Sequence, residues 1–269
     1  MGSKTKIDWC DASWNPVTGC LHGCEYCYAR RIAERFGSNQ MPIFTDYPVL
    51  HEPARCTDTY AYMRESGIST GKIQPYPFDF LPTFHRYRLD EPQKWKKPRT
   101  IFVCSMADLF GNWVPDEWIR EVFAACEAAP WHRYMFLTKN PMRYERVLSK
   151  PMPKNMWFGW SQEGPIGSQS VFSTDYEVNT FVSIEPLLRP FEEFYIRGVD
   201  WVIVGAETGN RKNKIIPEKK WVDDIASACR ETGVPLFMKD SLRDLMGDDF
   251  KQEFPWQARD HEFCRGADS

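Results

Sequence analysis

The chain has 269 residues, of which 42% are hydrophobic and 26% are charged, and its formal net charge is −3. This balance is typical of a globular protein that is long enough to bury a sizeable core. The slightly negative charge excludes a global basic field that would attract nucleic acid, so such binding would have to rest on a local patch.

The cysteines and the hydropathy pattern predict a cytoplasmic protein without membrane contact. Nine cysteines is an odd number, and six of them are scattered without regular spacing: Cys10, Cys56, Cys104, Cys126, Cys229 and Cys264. This distribution argues against a secreted disulfide framework and for a reducing compartment. No apolar run approaches the roughly 20 residues of a membrane span, and the N-terminus lacks an apolar signal core.

The first predicted strand lies near "SWNPVTG" (13–19) and leads into three closely spaced cysteines, Cys20, Cys24 and Cys27. Their spacing is C-x3-C-x2-C, and a helical pattern, "CYARRIAERF", begins at the third cysteine. The triplet is therefore expected on a loop between a strand and a helix. In β/α barrels the active sites are built from such loops.

Three interpretations of the triplet remain open. Three thiolates can hold a 4Fe-4S cluster and leave one iron free for a substrate or cofactor. In the second interpretation, the three cysteines bind a zinc ion with His22 or Cys10 as the fourth ligand. The chain would then be a zinc-stabilised nucleic-acid-binding module without redox chemistry. The third places the thiols in the core, which the loop residues Gly19, Gly23 and Glu25 disfavour.

Residues 36–99 are rich in Pro, Tyr and Phe, and we predict a partly structured, irregular insertion there. The insertion ends in a basic stretch, 85–99, in which aromatic residues are interleaved. Such a stretch can bind phosphates and stack a base, which makes it the candidate nucleic-acid contact. The alternative is a solvated connector, because Asp90 and Glu91 dilute its charge.

From residue 100 onward, six apolar runs end in polar residues and alternate with helical or irregular stretches. They are "TIFVCS" (100–105), "RYMFLTK" (133–139), "MWFGWSQ" (156–162), "TFVSIEP" (180–186), "WVIVGAE" (201–207) and "PLFMKD" (235–240). Runs that are apolar at nearly every position are typical of parallel strands buried on both faces. We predict an α/β fold, a full or partial (β/α) TIM-like barrel of parallel strands that forms one domain over residues 1–269.

Helices are predicted between several of these runs. Apolar residues recur at helical spacing after Pro115 and again between Trp221 and Cys229, where Gly233 ends the helix. Asn140 and Pro141 predict the cap and first turn of another helix. Residues 163–179 are predicted to form a Gly/Ser-rich loop.

Three charged residues directly follow apolar strands: Glu185, Glu207 and Lys239. Charges at such positions are costly unless they are paired or solvated by a ligand. We expect Glu185 and Glu207 to line the substrate side as candidate catalytic residues, with Lys239 as their ion-pair partner. The alternative is a structural salt bridge that stabilises the end of the barrel.

The triplet, with Tyr26 before its third cysteine, resembles the signature of the radical S-adenosylmethionine (radical SAM) superfamily. A longer series of motifs resembles the phage-associated family of uncharacterised radical-SAM-like proteins. They cover most of residues 7–256: "WNPVTGC", "CYARR", "FHRYRLDEPQKWKKPRTIFVCSMADLF", "FLTKNPMR", "VSIEPLL", "VIVGAETG", "FMKDSL" and "EFPW".

The resemblance implies a partial barrel in which Cys20, Cys24 and Cys27 ligate a 4Fe-4S cluster. The open iron would chelate S-adenosylmethionine, and an electron from a donor such as flavodoxin or ferredoxin would cleave it. The resulting 5′-deoxyadenosyl radical would abstract hydrogen from a substrate. The resemblance names no substrate, but superfamily relatives that repair or modify nucleic acids make a nucleic acid or nucleotide the candidate.

The same resemblance suggests residues that bind S-adenosylmethionine. Tyr26 would lie beside the adenine. Ser105 and Asp108, in "CSMAD", occupy the place of the loop that contacts the methionine amino group, although Asp108 can also be a helix cap. Lys139 would pair with the methionine carboxylate, and Ser161 would bond that carboxylate or a ribose hydroxyl; both can instead be polar residues at the sheet rim. "VIVGAE" approximates the adenine-contacting motif G-x-I-x-G-x-x-E but is one residue shorter.

Overall fold

The computed structural model describes residues 5–37, 46–55, 73–148, 151–162, 178–191, 196, 198–209 and 211–257. The strands in these ranges are β1 (Ala12–Trp14), β2 (Val17–Thr18), β3 (Val49–Leu50), β4 (Thr83–His85), β5 (Thr100–Val103), β6 (Arg133–Thr138), β7 (Met156–Ser161), β8 (Asn179–Ile184), β9 (Val202–Val204) and β10 (Leu236–Met238). The helices are α1 (Tyr28–Phe36), α2 (Glu91–Lys94), α3 (Asp116–Glu127), α4 (Met142–Val147), α5 (Lys219–Thr232) and α6 (Arg243–Met246).

Seven strands belong to one sheet, in the order β1-β5-β6-β7-β8-β9-β10. The registered pairs β1–β5, β7–β8, β8–β9 and β9–β10 are parallel. Six of the seven strands coincide with runs predicted from the sequence, and these strands are almost entirely buried. β1 overlaps the predicted stretch 13–19 only at Ser13 and Trp14, because Val17–Thr18 of that stretch form β2 of another sheet. The predicted α/β class is therefore confirmed, in its partial TIM-like form, because the strand order leaves β1 and β10 as the two edges of the sheet.

The chain divides into two compact units, one of Met1–Lys4 and Ala12–Tyr134 and one of Thr5–Asp11 and Met135–Ser269. We call them unit 1 and unit 2. Unit 1 contains β1–β5 and α1–α3, and unit 2 contains β7–β10 and α4–α6.

In unit 1, a small sheet of order β2-β4-β3 supports the loop that carries the cysteine triplet. β4 and β3 lie in the region predicted as an insertion, of which residues 38–45 and 56–72 are outside the described residues. Phe84 of β4 stacks on Trp118 of α3, with ring centroids 5.1 Å apart. The predicted apolar face of α3, which includes Ile119 and Val122, is buried.

In unit 2, α5 packs Val222 and Ile225 into a core that includes Val182 and Val202 of the sheet. Gly233 follows α5 in a left-handed conformation (φ 71°), as predicted for its end. The N-terminal segment 5–11 belongs to this unit, where the ring of Trp9 lies 6.3 Å from that of Trp201.

Helix α4 begins slightly later than the sequence predicts. Its cap residue is Pro141, and its first helical residue is Met142. Asn140 precedes the cap residue and lies in the turn after β6, where its backbone N–H donates to Thr138 Oγ1 at 2.9 Å. The predicted loop 163–179 lies outside the described residues up to 177, and β8 begins at Asn179.

None of the helices in the described parts of the chain is both long enough and apolar enough to cross a membrane.

Candidate functional site

The cysteine loop follows β2 and is fixed to unit 1 at its first residues. Gly19 donates its N–H to the carbonyl of Met106 at 2.9 Å, and Cys20 donates to the carbonyl of Phe80 at 3.2 Å. Gly19 has a φ of 87°, and a Cβ there would lie 2.3 Å from the carbonyl oxygen of Leu81. Only glycine therefore allows the chain to enter the loop at this point.

The last cysteine of the loop starts helix α1. Cys27 is the cap residue of this helix, and its Sγ accepts the backbone N–H of Arg30 at 3.3 Å. The guanidinium of Arg30 donates to the carbonyl of Cys20 at 3.3 Å and lies 4.9 Å from the centre of the Phe80 ring. The prediction that the triplet lies on a loop that leads into a helix is confirmed.

The three thiols of the triplet are half-buried beside an apolar floor. Cys20 and Cys27 pack against a cluster of Ala29, Ala33, Phe80 and Met106. Burial raises the pKa of the Cys20 thiol to about 12, and charges on Asp108, Cys24 and Cys27 add to this effect.

The chemistry of this donor set fits a cluster or another thiophilic metal, because thiolates are the ligands of iron–sulfur clusters and of zinc. A backbone N–H at a helix start also points at the Cys27 sulfur, the polarity that an anionic ligand needs. Among the described residues, no three His, Cys, Asp or Glu side chains converge closely enough to hold a metal ion. Binding a cluster therefore requires the thiols to turn toward a common point.

Asn15, directly after β1, joins the start of the site to the loop after β5. Its side-chain oxygen accepts the backbone N–H of Met106 at 2.9 Å and the hydroxyl of Ser105 at 3.2 Å. Cys104, the residue before Ser105, has a φ of 58°, which is a strained backbone conformation for a residue with a side chain. This strained turn and the Asn15 bonds hold Ser105 at the carboxyl end of β5.

Asp108, the other residue predicted after β5, is buried and contacts a residue of the cysteine loop. Its Oδ2 lies 2.7 Å from His22 Nε2, and its Oδ1 accepts the backbone N–H of Phe110 at 3.0 Å. The His22 ring also meets the ring of Trp113 edge-on, with centroids 4.9 Å apart. Asp108 thus closes a turn, not a helix, since α3 begins only at Asp116.

Two tyrosines flank the third cysteine. Tyr26, predicted beside the adenine, is half-buried, whereas Tyr28 is exposed. The hydroxyl of Tyr28 donates to the backbone carbonyl of Ser105 at 2.7 Å. Like the bonds of Asn15, Gly19 and His22, it connects the loop after β5 to the region of the cysteines.

In unit 2, Glu185 and Lys239 form the ion pair that the sequence predicts. Lys239 Nζ lies 2.5 Å from Glu185 Oε1, and both side chains are partly exposed. A Cβ at Gly205 would lie 2.9 Å from Lys239 Cδ, so this glycine makes room for the lysine side chain. The pair follows β8 and β10 and remains accessible to a ligand.

Glu207 has a different surrounding from the one predicted. Its carboxylate is almost fully buried and accepts two bonds from Arg211, at 2.6 and 2.7 Å. Its Oε2 also accepts the backbone N–H of Ile215 at 3.3 Å. The bonds from Arg211, more than any other contact, hold the pKa of Glu207 below its ordinary value. No pair between Glu207 and Lys239 is described, so the two predicted carboxylates have separate partners.

The remaining predicted residues of unit 2 are Lys139 and Ser161. Both are half-buried at the carboxyl ends of β6 and β7. Ser161 is followed by the buried Gln162, whose N–H donates to the carbonyl of Ser183 at 2.8 Å.

The basic stretch 85–99 uses much of its charge within unit 1. Arg86 forms a two-point bond with Glu121 at 2.6 and 2.9 Å, and Lys94 pairs with Asp90 at 2.7 Å. The stretch contains His85, Arg86, Tyr87, Arg88, Lys94, Trp95, Lys96, Lys97 and Arg99. Of these, Arg88 donates to a backbone carbonyl, Arg99 lies over the Trp95 ring, and Lys96 and Lys97 are exposed.

The sequence did not predict three contacts of the candidate site residues: those of Asn15 with the loop after β5, of His22 with Asp108, and of Arg211 with Glu207. The contacts of Asn15 and His22 join residues about 90 positions apart, which no local pattern reveals. Arg211 stands four residues after Glu207, and this opposite-charge spacing is the signal that could have found it.

The protein is of the α/β class, with a parallel sheet. A loop with three cysteines lies between the first strand of this sheet and the first helix. The chain belongs to the family described as "Protein of unknown function (DUF5131)", which matches residues 4–248. No curated protein matches the sequence.

Solved structures of spore photoproduct lyase have a similar fold. The lyase complexed with dinucleoside spore photoproduct has a TM-score of 0.55 and 10% sequence identity, and covers 88% of this chain and 78% of that chain. A mutant of the lyase with bound AdoMet and dinucleoside spore photoproduct has a TM-score of 0.52 and 10% identity, and covers 94% of this chain and 79% of that chain. At this identity the likeness shows the fold alone.

Proposed function

We propose that the chain is a radical SAM enzyme in which Cys20, Cys24 and Cys27 hold a 4Fe-4S cluster. The observation that carries this proposal is the half-buried three-thiol loop before α1, in a parallel β/α sheet. A fold shared with an AdoMet-bound lyase supports it. So does the resemblance of the cysteine motif and its flanking motifs to the phage-associated radical-SAM-like proteins.

When bound, a cluster with one open iron and S-adenosylmethionine would supply reductive carbon–sulfur cleavage and a carbon radical that abstracts hydrogen. Arg30, between the Cys20 carbonyl and the Phe80 ring, keeps the cysteine loop in place. The apolar floor beneath Cys20 and Cys27 excludes water from one side of the thiols.

The loop after β5 would orient S-adenosylmethionine. Ser105, held by Asn15, would offer its hydroxyl to the methionine part. Asp108 acts through His22, which it fixes at the edge of the cysteine loop, so we propose it as a positioning residue. Tyr26 would lie against the adenine.

By the resemblance, Lys139 is proposed to pair with the methionine carboxylate of S-adenosylmethionine, and Ser161 to bond that carboxylate or a ribose hydroxyl. Glu185 and Lys239 would contact the substrate, because both side chains of their pair are partly exposed. Glu207 is saturated by Arg211 and Ile215, so its role in the proposal is to shape the segment after β9.

The proposed substrate is a nucleic acid or nucleotide. The lyase of similar fold binds a dinucleoside photoproduct, which supports this class. A small electron-transfer protein such as flavodoxin or ferredoxin would supply the electron.

Anaerobic reconstitution with iron and sulfide tests the cluster. We expect ~4 iron atoms per chain and a broad absorption band near roughly 400 nm, as cysteine-ligated clusters give. Cys24→Ala should lose both, whereas Cys10→Ala, which changes another half-buried cysteine, should keep both. A folded wild-type protein that takes up no iron would contradict the proposal.

A second candidate function, a zinc-stabilised nucleic-acid-binding module, draws support from the His22–Asp108 pair. Histidine ligands of metals commonly bond a carboxylate through their other ring nitrogen, and Asp108 stands in that position. This function predicts a colourless protein with one zinc that His22→Ala removes. A brown protein whose iron content survives His22→Ala would exclude it.

Substitution of Glu185 tests whether the Glu185–Lys239 pair contacts the substrate or only stabilises the fold. Glu185→Gln should retain iron and S-adenosylmethionine cleavage while slowing turnover of the substrate. Loss of iron or of the folded state in this variant would instead assign the pair to structure.

A further inference from the structure

We propose that the loop of residues 211–217, in unit 2, is the surface that grips duplex nucleic acid. This inference rests on the nucleic-acid part of the proposed function. The loop has the sequence "RKNKIIP" and lies between the buried Glu207 and helix α5. The loop combines two cationic side chains, Lys212 and Lys214, with two apolar ones, Ile215 and Ile216.

The loop is anchored from within by Glu207. Besides the two bonds from Arg211, the carboxylate accepts the N–H of Ile215, and Lys214 donates its N–H to the carbonyl of Arg211 at 3.3 Å. Pro217 is buried at the far end. The buried carboxylate thus fixes the loop at Arg211 and Ile215, and Ile216 follows between this fixed residue and the buried Pro217.

Two isoleucines of this anchored turn face solvent. Ile215 is 37% exposed and Ile216 is 73% exposed, the largest exposed fraction among the large hydrophobic residues of the described chain. Single exposed apolar residues are ordinary, but two adjacent ones that directly follow exposed lysines on a fixed turn form a contact surface.

The two lysines that precede the isoleucines are exposed to solvent, although the charge of Lys214 also helps to lower the pKa of Glu207. Lys212 and Lys214 are exposed, and within the described residues neither forms an ion pair. By contrast, the next two lysines, Lys219 and Lys220 of α5, are paired with aspartates at 2.7–2.8 Å. In a chain with a net charge of −3, Lys212 and Lys214 form a local patch of positive charge beside the neutralised Arg211.

Duplex nucleic acid fits this combination better than the other polyanions. Proteins that bend duplexes insert apolar wedges such as isoleucine between base steps, while lysines contact the flanking phosphates. Single-strand binding depends on aromatic platforms, and the loop has none. Stable membrane binding needs a larger apolar face than two isoleucines.

The basic stretch 85–99 is a weaker candidate for this contact. Arg86, Arg88 and Lys94 are engaged within unit 1. His85, the first residue of the stretch, is fully buried. Lys96 and Lys97 of the stretch are exposed, so the contact predicted there from the sequence stays a prediction beside the loop 211–217.

A salt titration of binding to a short DNA duplex tests the inference with the reconstituted full-length protein. The logarithm of the binding constant falls with the logarithm of salt by about 0.9 for each phosphate contact. Lys212→Gln combined with Lys214→Gln should therefore make the slope shallower by about 1.8. Ile216→Ser should weaken binding about tenfold without changing the slope. Lys220→Gln, whose ammonium is held by Asp224, is the matched control and should leave both unchanged.

Other outcomes overturn the inference. Duplex binding that all three loop substitutions leave intact places the contact elsewhere. Binding only to single strands, or binding to anionic vesicles that the same substitutions abolish, assigns the loop to another partner. S-adenosylmethionine cleavage without nucleic acid is measured on the same preparations. If that cleavage persists while duplex binding is absent, this inference fails and the proposed radical chemistry stands.

Discussion

His85 is the clearest case in which burial decides what a residue can do. Its side chain is fully buried between Thr18, at 2.8 Å from Nε2, and Tyr87, at 3.4 Å from Nδ1. Burial, with a smaller contribution from Arg88, lowers the pKa of His85 from 6.5 to about 3. The residue stays neutral at physiological pH and contributes no positive charge to the stretch 85–99.

This pKa predicts a specific dependence of stability on pH. Because the unfolded chain binds a proton at His85 near pH 6.5 and the folded chain does not, the free energy of unfolding falls as the pH drops from about 6.5 toward 3. The slope from this site reaches about 1.4 kcal/mol per pH unit. Urea unfolding at a series of pH values should show a shallower slope for His85→Gln. His51→Gln, at an exposed position, is the matched control, and equal slopes in all three proteins would contradict this account.

The buried carboxylate of Glu207 predicts a second stability effect, with its own pH window. Glu207→Gln should lower the free energy of unfolding at neutral pH by about 1–3 kcal/mol, because Arg211 and the Ile215 N–H lose a charged acceptor. The pKa of Glu207 is lowered, so its contribution is complete above 4.5 and is lost as the pH falls through the folded-state value.

The difference between wild type and Glu207→Gln should therefore shrink in acid. Asp224→Asn removes a solvent-exposed pair with Lys220 and should change stability by less than about 0.5 kcal/mol. An equally small effect of Glu207→Gln would show that the buried pair does not stabilise the loop after β9.

Residue identities were more predictable than residue contacts. The triplet stands out from its spacing alone, and the Glu185–Lys239 pair follows from charged residues placed after apolar strands. The bond between Asp108 and His22 joins positions 86 residues apart, so only the fold reveals it. The cofactor and catalytic roles of the predicted residues stay predictions.

At the scale of elements, six of the seven strands of the large sheet were predictable because each lies in a mostly apolar run that is buried along most of its length. The small sheet β2-β4-β3 was not, because its strands have only two or three residues and depend on pairing between distant segments. This sheet leads into Gly19, where the chain enters the cysteine loop.

Two glycines of the cysteine loop give a matched test of how the loop is built. Both have left-handed φ values, 87° for Gly19 and 71° for Gly23, but a Cβ meets Leu81 at Gly19 and open space at Gly23. Gly23→Ala should cost only the conformational strain, about 1 kcal/mol. Gly19→Ala adds the steric clash and should cost about 2–4 kcal/mol.

Thermal unfolding and the iron content after reconstitution are measured for the two variants, Gly19→Ala and Gly23→Ala. Gly19→Ala should lower both the melting temperature and the iron content, whereas Gly23→Ala should retain most of the iron. If the two variants behave alike, the backbone contact with Leu81 does not determine the position of the loop.

At the scale of the whole molecule, the sequence predicted the α/β class and the parallel strands but left open whether the barrel is full or partial. Closure depends on the number and the order of strands, which local hydrophobic patterns do not encode. The similar fold of spore photoproduct lyase at 10% identity fits this view, since the sheet tolerates nearly complete exchange of its residues.

The central claim is that three cysteines make this fold a radical SAM enzyme, and S-adenosylmethionine cleavage by the reconstituted, dithionite-reduced protein tests it most directly. We expect wild type and Cys10→Ala to release 5′-deoxyadenosine, and Cys20→Ala, Cys24→Ala and Cys27→Ala to release none while remaining folded. Absence of 5′-deoxyadenosine from an iron-loaded, reduced wild-type protein, or equal release by the triplet variants, would contradict the claim.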